Sequence, residues 1–109
     1  MFDGDYVRSG NAVRELSGTD EMLERVAFRL RAKKGGFALL PELGSRLYEL
    51  SRIKRSERRL AAEQFIRQAL EDEPDVELKA VEVEEEDGVI RIDVEIAWDG
   101  IKHKMRMEV

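Results

Sequence analysis

Carboxylates are the most abundant side chains here that could carry out acid–base chemistry: the chain has 24 Asp and Glu among 109 residues. Hydrolysis of a glycosidic bond needs one carboxylic acid with a raised pKa and a second carboxylate about 5–9 Å away. The densest acidic runs, Glu82 and residues 84–87, fall at a predicted strand end and hairpin tip, where charged side chains are ordinarily solvated. We therefore predict no catalytic residue and no enzymatic activity.

The remaining residue types argue against several other kinds of site. The chain has no cysteine, which removes disulfide bonds, thiolate metal sites and a cysteine nucleophile. Its one histidine, His103, has no second titratable group placed by the sequence to orient it, so we predict a structural role. No segment has the phosphate-binding pattern GxxxxGK followed by Ser or Thr. The sequence predicts no cofactor and no metal.

Two blocks of opposite charge lie in a chain whose net charge is only −5. The basic block consists of Arg52, Lys54, Arg55, Arg58 and Arg59, and the acidic block covers residues 71–87. The basic block has no interleaved aromatic residue and no nucleic-acid-binding motif, so we predict no nucleic-acid partner. Two interpretations stay open: a solvated surface, or complementary contacts with unlike neighbours in an assembly.

The positions of the apolar residues predict an α+β fold in a single domain, residues 1–109. Residues 1–18 are predicted to form a small hairpin around the turn Ser9-Gly10-Asn11. Three helices follow within residues 19–72, and they pack on one face of a three-stranded antiparallel meander, residues 76–109. No apolar stretch approaches the ~20 residues of a membrane helix, and the first ten residues are unlike a signal peptide. We therefore expect no membrane partner and synthesis inside the cell.

Capping residues predict where the helices begin and end. Thr19 is a good N-cap for the first helix, and the basic, glycine-containing residues 33–36 are typical of its C-terminal end. Gly44-Ser45 opens the short second helix, and Ser56 caps the third. The third helix has an apolar stripe formed by Leu60, Ala61, Phe65, Ile66, Ala69 and Leu70.

The strand register can be predicted from turns and charges. Asp87-Gly88 and Asp99-Gly100 are both strong two-residue hairpin signals. Closing the second hairpin places three pairs of opposite charge on the solvent face: Glu95 with Lys104, Asp93 with Arg106, and Arg91 with Glu108. Around the first hairpin we predict a bulge at Ala80-Val81, because only then does Leu78 face Ile96.

The third strand is predicted to lie at a sheet edge. The sequence ends at Val109, so we expect no later segment to cover its outer side. Unpaired backbone groups there can accept a strand from another chain. Lys102, Lys104 and Arg106 protect the edge from casual pairing and favour an acidic partner strand.

The order of short motifs along residues 19–109 is the most specific feature. A helix followed by glycine comes first, then Pro41-Glu42-Leu43-Gly44-Ser45, then a helix with Ile66-x-x-Ala69-Leu70 that runs into Glu73-Pro74 and strands. This order resembles the baseplate wedge family of contractile phage tails, often labelled lysozyme-like. That family includes the sheath initiators of contractile bacteriocins and the equivalent baseplate component of type VI secretion. Asp75 stands where the family usually has arginine.

The resemblance implies a structural, non-enzymatic protein that initiates sheath assembly by strand pairing. It implies assembly in the host bacterial cytoplasm and several copies in the baseplate around the hub or tube, in contact with wedge and sheath proteins. The wedge contacts are expected at Pro41, Gly44, Ser45, Glu73, Pro74 and Asp75. The sheath is expected at the edge strand that carries Lys102, Lys104 and Arg106. Two alternatives remain: a peptidoglycan hydrolase and a free-standing strand-pairing adaptor.

Overall fold

The computed structural model describes residues 18–109, so the predicted N-terminal hairpin lies outside the described residues. Two α-helices, two short 3₁₀ helices and three strands follow one another along these residues. Their bounds are α1 Gly18–Arg31, a first 3₁₀ helix Leu47–Arg52, a second 3₁₀ helix Arg55–Glu57, α2 Arg58–Ala69, β1 Val76–Glu86, β2 Val89–Trp98 and β3 Ile101–Glu108. The α+β class predicted from the sequence is confirmed.

Helix α1 has the charge order that stabilises a helix. Asp20 and Glu21 lie in its first turn and Arg29 and Arg31 in its last turn, each sign opposite to the nearby end of the helix dipole. One face of the helix is buried, through Met22, Leu23, Val26, Ala27 and Leu30. The middle helix of the sequence prediction is present as the tighter 3₁₀ form, with Leu47 and Leu50 buried.

Two details of the third predicted helix were wrong. Its N-cap residue is Glu57 and makes no side-chain capping hydrogen bond, because Ser56 belongs to the preceding 3₁₀ turn. Leu60 is 58% exposed. The buried positions of α2 are Ala62, Ile66 and Ala69. Since each residue turns an α-helix by about 100°, Leu60 lies roughly 200° from Ala62 and faces water.

The sheet is a meander in the order β1-β2-β3. Both hairpin turns have positive φ at two successive residues, Asp87 and Gly88 in one and Asp99 and Gly100 in the other, as the tight turn suited to strand twist requires. The three predicted cross-strand pairs are confirmed: Glu95 with Lys104, Asp93 with Arg106, and Arg91 with Glu108.

The predicted bulge in β1 exists, one residue earlier than expected. The register shifts between Leu78 and Ala80, so Lys79 is the extra residue. Leu78 pairs with Ile96, as the bulge argument required. Without the extra residue, Lys79 would have to enter the apolar face of the sheet, and burial of an unpaired ammonium is far more costly than a local break in the ladder.

The core lies between the helices and one face of the sheet. Helix residues such as Met22 and Ile66 pack in one cluster with Ile92, Val94 and Ile96 of the central strand. The alternate residues of the central strand, Arg91, Asp93 and Glu95, point to the opposite, charged face. Because the sheet is an open meander of three strands, the outer edges of β1 and β3 have no paired strand among residues 18–109.

Candidate protein-contact site

Gly44 and Ser45 join the end of α1 to the first 3₁₀ helix. The Ser45 N–H donates to the Ala32 carbonyl oxygen (2.8 Å), and the Lys34 N–H donates to the Ser45 carbonyl oxygen (2.9 Å). The Ser45 hydroxyl donates to the Leu30 carbonyl oxygen at 2.6 Å. These bonds satisfy carbonyl groups at the C-terminal end of α1 that the helix itself leaves unpaired. The motif therefore forms an internal tie, and both residues are buried.

The loop between α1 and this tie exposes apolar side chains. Leu39 is 93% exposed, Leu40 58% and Phe37 41%, and Pro41 follows them at the surface. The Phe37 ring packs against the half-exposed Phe28 ring of α1, with centroids 6.1 Å apart. Contiguous exposed apolar residues of this kind are typical of protein contact surfaces.

Glu73 ends the connection after α2 and binds α1. Its carboxylate oxygen Oε2 accepts hydrogen bonds from Arg25 Nε at 2.7 Å and from Arg29 Nε at 3.0 Å. The Glu73 side chain is only 9% exposed. Two charge-assisted hydrogen bonds to a nearly buried carboxylate join segments 44 and 48 residues apart.

The Glu73 carboxyl group has a lowered pKa. Burial by itself raises the pKa of this group, but the hydrogen bond and charge of Arg25, together with those of Arg29, outweigh burial. The ionised form is therefore the one that the fold stabilises. Its Oε2 atom is engaged within the chain, and the partner role implied for Glu73 stays a prediction.

Pro74 and Asp75 are exposed directly after this buried carboxylate. They line an open groove of about 650 Å³ at one end of the sheet. The same groove is lined by Arg67 of α2, by the beginning of β1, and by Lys102 of β3. The structure thus brings together Pro74, Asp75 and Lys102, which the sequence had assigned to two separate contacts.

The cations of β3 differ in how they are engaged. Arg106 Nε donates to Asp93 Oδ1 at 2.8 Å. Lys102 Nζ lies 3.6 Å from Glu95 Oε2, although the residue directly opposite Glu95 in the ladder is Lys104. Lys102 therefore reaches Glu95 diagonally. All three β3 cations are exposed. Exposed pairs of this sort contribute about 0–1 kcal/mol each, so these side chains are readily available to a partner.

The two charge blocks of the sequence meet within the chain. Arg55 and Arg58 both donate to Glu85 Oε1, at 2.7 and 2.8 Å. Arg58 also donates through Nε to the carbonyl oxygens of Leu50 and Ile53, and its side chain is 12% exposed. The hydrogen bonds from Arg58 and then Arg55 lower the pKa of Glu85. Residues of the basic block therefore form ion pairs with a residue of the acidic block in the same chain. Neither interpretation from the sequence included this pairing.

His103 pairs with Ile96 across the ladder, as predicted. Its Nε2 atom is buried and has no hydrogen-bond partner in the described structure. Within residues 18–109, no three side chains of the metal-binding types are grouped so that they could hold an ion. None of the helices in this part of the chain combines the length and apolarity needed to cross a membrane.

The fold and site define a small α+β domain with a one-sided meander, two unpaired sheet edges and an apolar loop held by a buried glycine-serine tie. A Geobacter sulfurreducens protein, provisionally described as a tail lysozyme, has the same fold. The TM-score is 0.70 at 20% sequence identity, over 88% of this chain and 94% of that chain. No protein-family model and no curated protein matches the sequence. At this identity the likeness shows the fold.

Proposed function

We propose that this protein is a baseplate component of a contractile phage tail or tail-like injection particle and that it initiates the sheath. The observation that carries the proposal is the outer edge of β3, which is unpaired in the described structure and basic, on a domain with the fold of a tail protein. The first sheath ring docks here when an acidic strand of the sheath subunit pairs with β3.

The wedge proteins contact two other surfaces in this proposal, the apolar loop after α1 and the groove at Pro74 and Asp75. The loop that exposes Leu39, Leu40 and Pro41 supplies apolar area, and Pro74 and Asp75 supply a polar neighbour at the groove. Gly44, Ser45 and Glu73 hold these two surfaces in place from the interior. Apolar area surrounded by polar groups is the usual composition of a specific protein interface.

Several copies are placed around the hub or tube in this proposal, and assembly takes place in the host bacterial cytoplasm. The absence of enzymatic activity is also part of it. Arginine lowers the pKa of the carboxyl groups of Glu49, Glu73 and Glu85. A general acid of a glycosidase needs the opposite shift. A peptidoglycan hydrolase would clear a cell-wall suspension, and we expect concentrated protein to leave it turbid.

The decisive experiment deletes the gene in the producing strain and images the induced particles by electron microscopy. We expect tubes or baseplates without sheath, with normal sheathed particles restored by a plasmid copy. Normal sheathed, contractile tails in the deletion strain would contradict the initiator role. The protein would then belong with the strand-pairing adaptors or the hydrolases.

Reversing the charge of β3 tests the docking strand without removing a core residue. In the double variant Lys102→Glu and Lys104→Glu, attraction to an acidic strand becomes repulsion of similar size. We expect docking of the sheath to weaken roughly 5–30-fold, as 1–2 kcal/mol implies. The readout is the fraction of sheathed particles when the variant complements the deletion strain.

The matched control carries the same charge change away from the sheet edge, through Arg52→Glu and Lys54→Glu, both at exposed positions. The control should alter stability by about 0.5 kcal/mol or less. Lys102 and Lys104 both lie beside Glu95, so their reversal is expected to cost about 0.2–1 kcal/mol for each like-charge pair, and thermal unfolding checks that both variants are folded. If the folded β3 variant assembles sheath as well as the control does, the basic edge plays no part in docking.

A further inference from the structure

The two edges of this sheet are both unpaired in the described structure and carry opposite charge. The exposed side chains of the β3 edge are mainly basic, Lys102, Lys104 and Arg106, with Glu108 at the end; those of the β1 edge are mainly acidic, Glu77, Glu82, Glu84 and Glu86, with Lys79 at the bulge. Within residues 18–109, the only backbone hydrogen bond from β1 or β3 to a residue outside the meander is the one from Val76 N–H to the Glu73 carbonyl oxygen (3.0 Å), where the chain enters β1. Each edge can therefore accept another strand.

The register shows that the opposite charges share a face and a row. Glu82 and Arg106 both pair with Asp93, one from each side, so the three residues form one row across the sheet. Glu77 and Lys102 flank Ala97 in the same way. In a meander β1 and β3 run in the same direction, because each is antiparallel to β2. A copy placed beside the first in the same orientation thus continues every row.

The sign of the charges discriminates between the ways in which two copies could pair. Two β3 edges together would oppose cations to cations, and two β1 edges would oppose acids to acids, which is unfavourable. Pairing β3 of one copy with β1 of the next places Arg106 beside Glu82 and Lys102 beside Glu77, and it places Glu108 beside Glu84 at the far end. Two rows therefore attract and one repels, whereas the symmetric arrangements bring mainly like charges together. If both edges of the sheet carried charges of the same sign, every way of pairing two copies would be repulsive. In this sheet, charge repulsion disfavours only the β3–β3 and β1–β1 arrangements.

We infer that a second copy of this chain docks head to tail, with the outer edge of β3 against the outer edge of β1 of its neighbour. A contact between two different surfaces of identical chains is heterologous, so it is repeated by each added copy and closes into a ring or extends as a chain. The inference does not require the proposed function, but it concerns the same β3 edge, which only one strand can occupy at a time. An acidic strand from another protein would compete with the second copy for β3 and leave β1 open.

Sedimentation velocity of the purified full-length chain tests the inference. At about 0.01 M salt, where the Debye length is about 30 Å, we expect the weight-average mass to rise with protein concentration beyond that of one chain. At about 1 M salt, where charges are screened within about 3 Å, we expect a shift back toward the monomer. A protein that sediments as a monomer at millimolar concentration in low salt would overturn the inference.

A reciprocal charge exchange identifies the two edges. One variant carries Lys102→Glu and Arg106→Glu, so that its β3 edge becomes mainly acidic like its β1 edge; the other carries Glu77→Lys and Glu82→Lys, the two positions that face Lys102 and Arg106, so that its β1 edge gains two cations. Each alone is expected to be monomeric in low salt. An equimolar mixture is expected to associate, because the acidic β3 edge of one variant now meets the basic β1 edge of the other.

Circular dichroism and thermal unfolding of each variant exclude misfolding as the reason for a monomer. Association of the acidic-edge variant alone would overturn the inference, and so would a mixture that stays monomeric although both variants are folded. Because no sheath or wedge protein is present, these outcomes are separate from the imaging of tails. A two-fold dimer that only one of the two variants abolishes would also contradict head-to-tail pairing.

Discussion

Replacing Gly44 by alanine is expected to lower the free energy of unfolding by roughly 2–5 kcal/mol. Gly44 has φ of +104°, a region that costs an L-residue about 1–2 kcal/mol. A Cβ there would lie 2.5 Å from the Ala32 carbonyl oxygen and 2.9 Å from the Lys34 nitrogen, and both are backbone atoms. Overpacking of a closed site adds about 1–3 kcal/mol. Urea denaturation followed by circular dichroism measures the change.

Gly35 offers a matched control for this effect. Its φ is +88°, but a Cβ added there meets no atom within 4 Å. The Gly35→Ala variant should therefore lose only the backbone cost, about 1–2 kcal/mol. Equal destabilisation of the two variants would show that the close approach of residues 32 and 44 has no energetic weight.

Removing the charge of Glu73 is the second large effect. The Glu73→Gln variant keeps the shape of the side chain but removes the buried anion that Arg25 and Arg29 share, and Arg29 keeps only the exposed Asp72 carboxylate at 3.8 Å. Hydrogen bonds to charged groups contribute about 1.5–3 kcal/mol, and the half-exposed position of Arg25 reduces its share. We expect a loss of about 1–3 kcal/mol at neutral pH, measured by urea denaturation.

The control for Glu73 is Glu71→Gln, the same change at an exposed position two residues earlier. Its effect should stay within about 0.5 kcal/mol. Similar losses in both variants would indicate that general charge balance, and not the bond to α1, is responsible.

The pH dependence of the Glu73 effect follows from its lowered pKa. A carboxyl group with a pKa below its unfolded value of about 4.3 stabilises the folded state above that pH. This contribution is lost as the pH falls through the folded pKa, since both states are then protonated. The difference in stability between the parent chain and Glu73→Gln should therefore be largest near pH 7 and narrow below about pH 4. A difference that stays constant down to pH 3 would contradict an ionic origin.

The sequence by itself determined the sheet. Two aspartate-glycine pairs specify tight turns by local backbone preference, and alternation of apolar and charged residues then allows one register. The cross-strand pair of Asp93 with Arg106, and even the presence of an extra residue before Val81, followed from matching faces between neighbouring strands. Such information is local, because adjacent strands of a meander are joined by only a few residues.

Helix positions were predicted less well, since a helix face is decided by what packs against it. The spacing of apolar residues placed Leu60 in the predicted apolar stripe. In the structure α2 begins after a 3₁₀ turn, and Leu60 is 58% exposed. Propensity and periodicity allow either assignment, and only the position of the sheet beneath α2 selects the buried face.

The tertiary structure alone decided what the motif residues contact. Glu73 meets Arg25 across 48 residues, Ser45 meets Leu30 across 15, and Arg55 meets Glu85 across 30. Each pair depends on how helices and sheet are placed, so no spacing in the sequence predicts it. The structure shows that Ser45 and Glu73 form ties within the chain, because a hydroxyl group or charge in the interior needs a partner from its own chain.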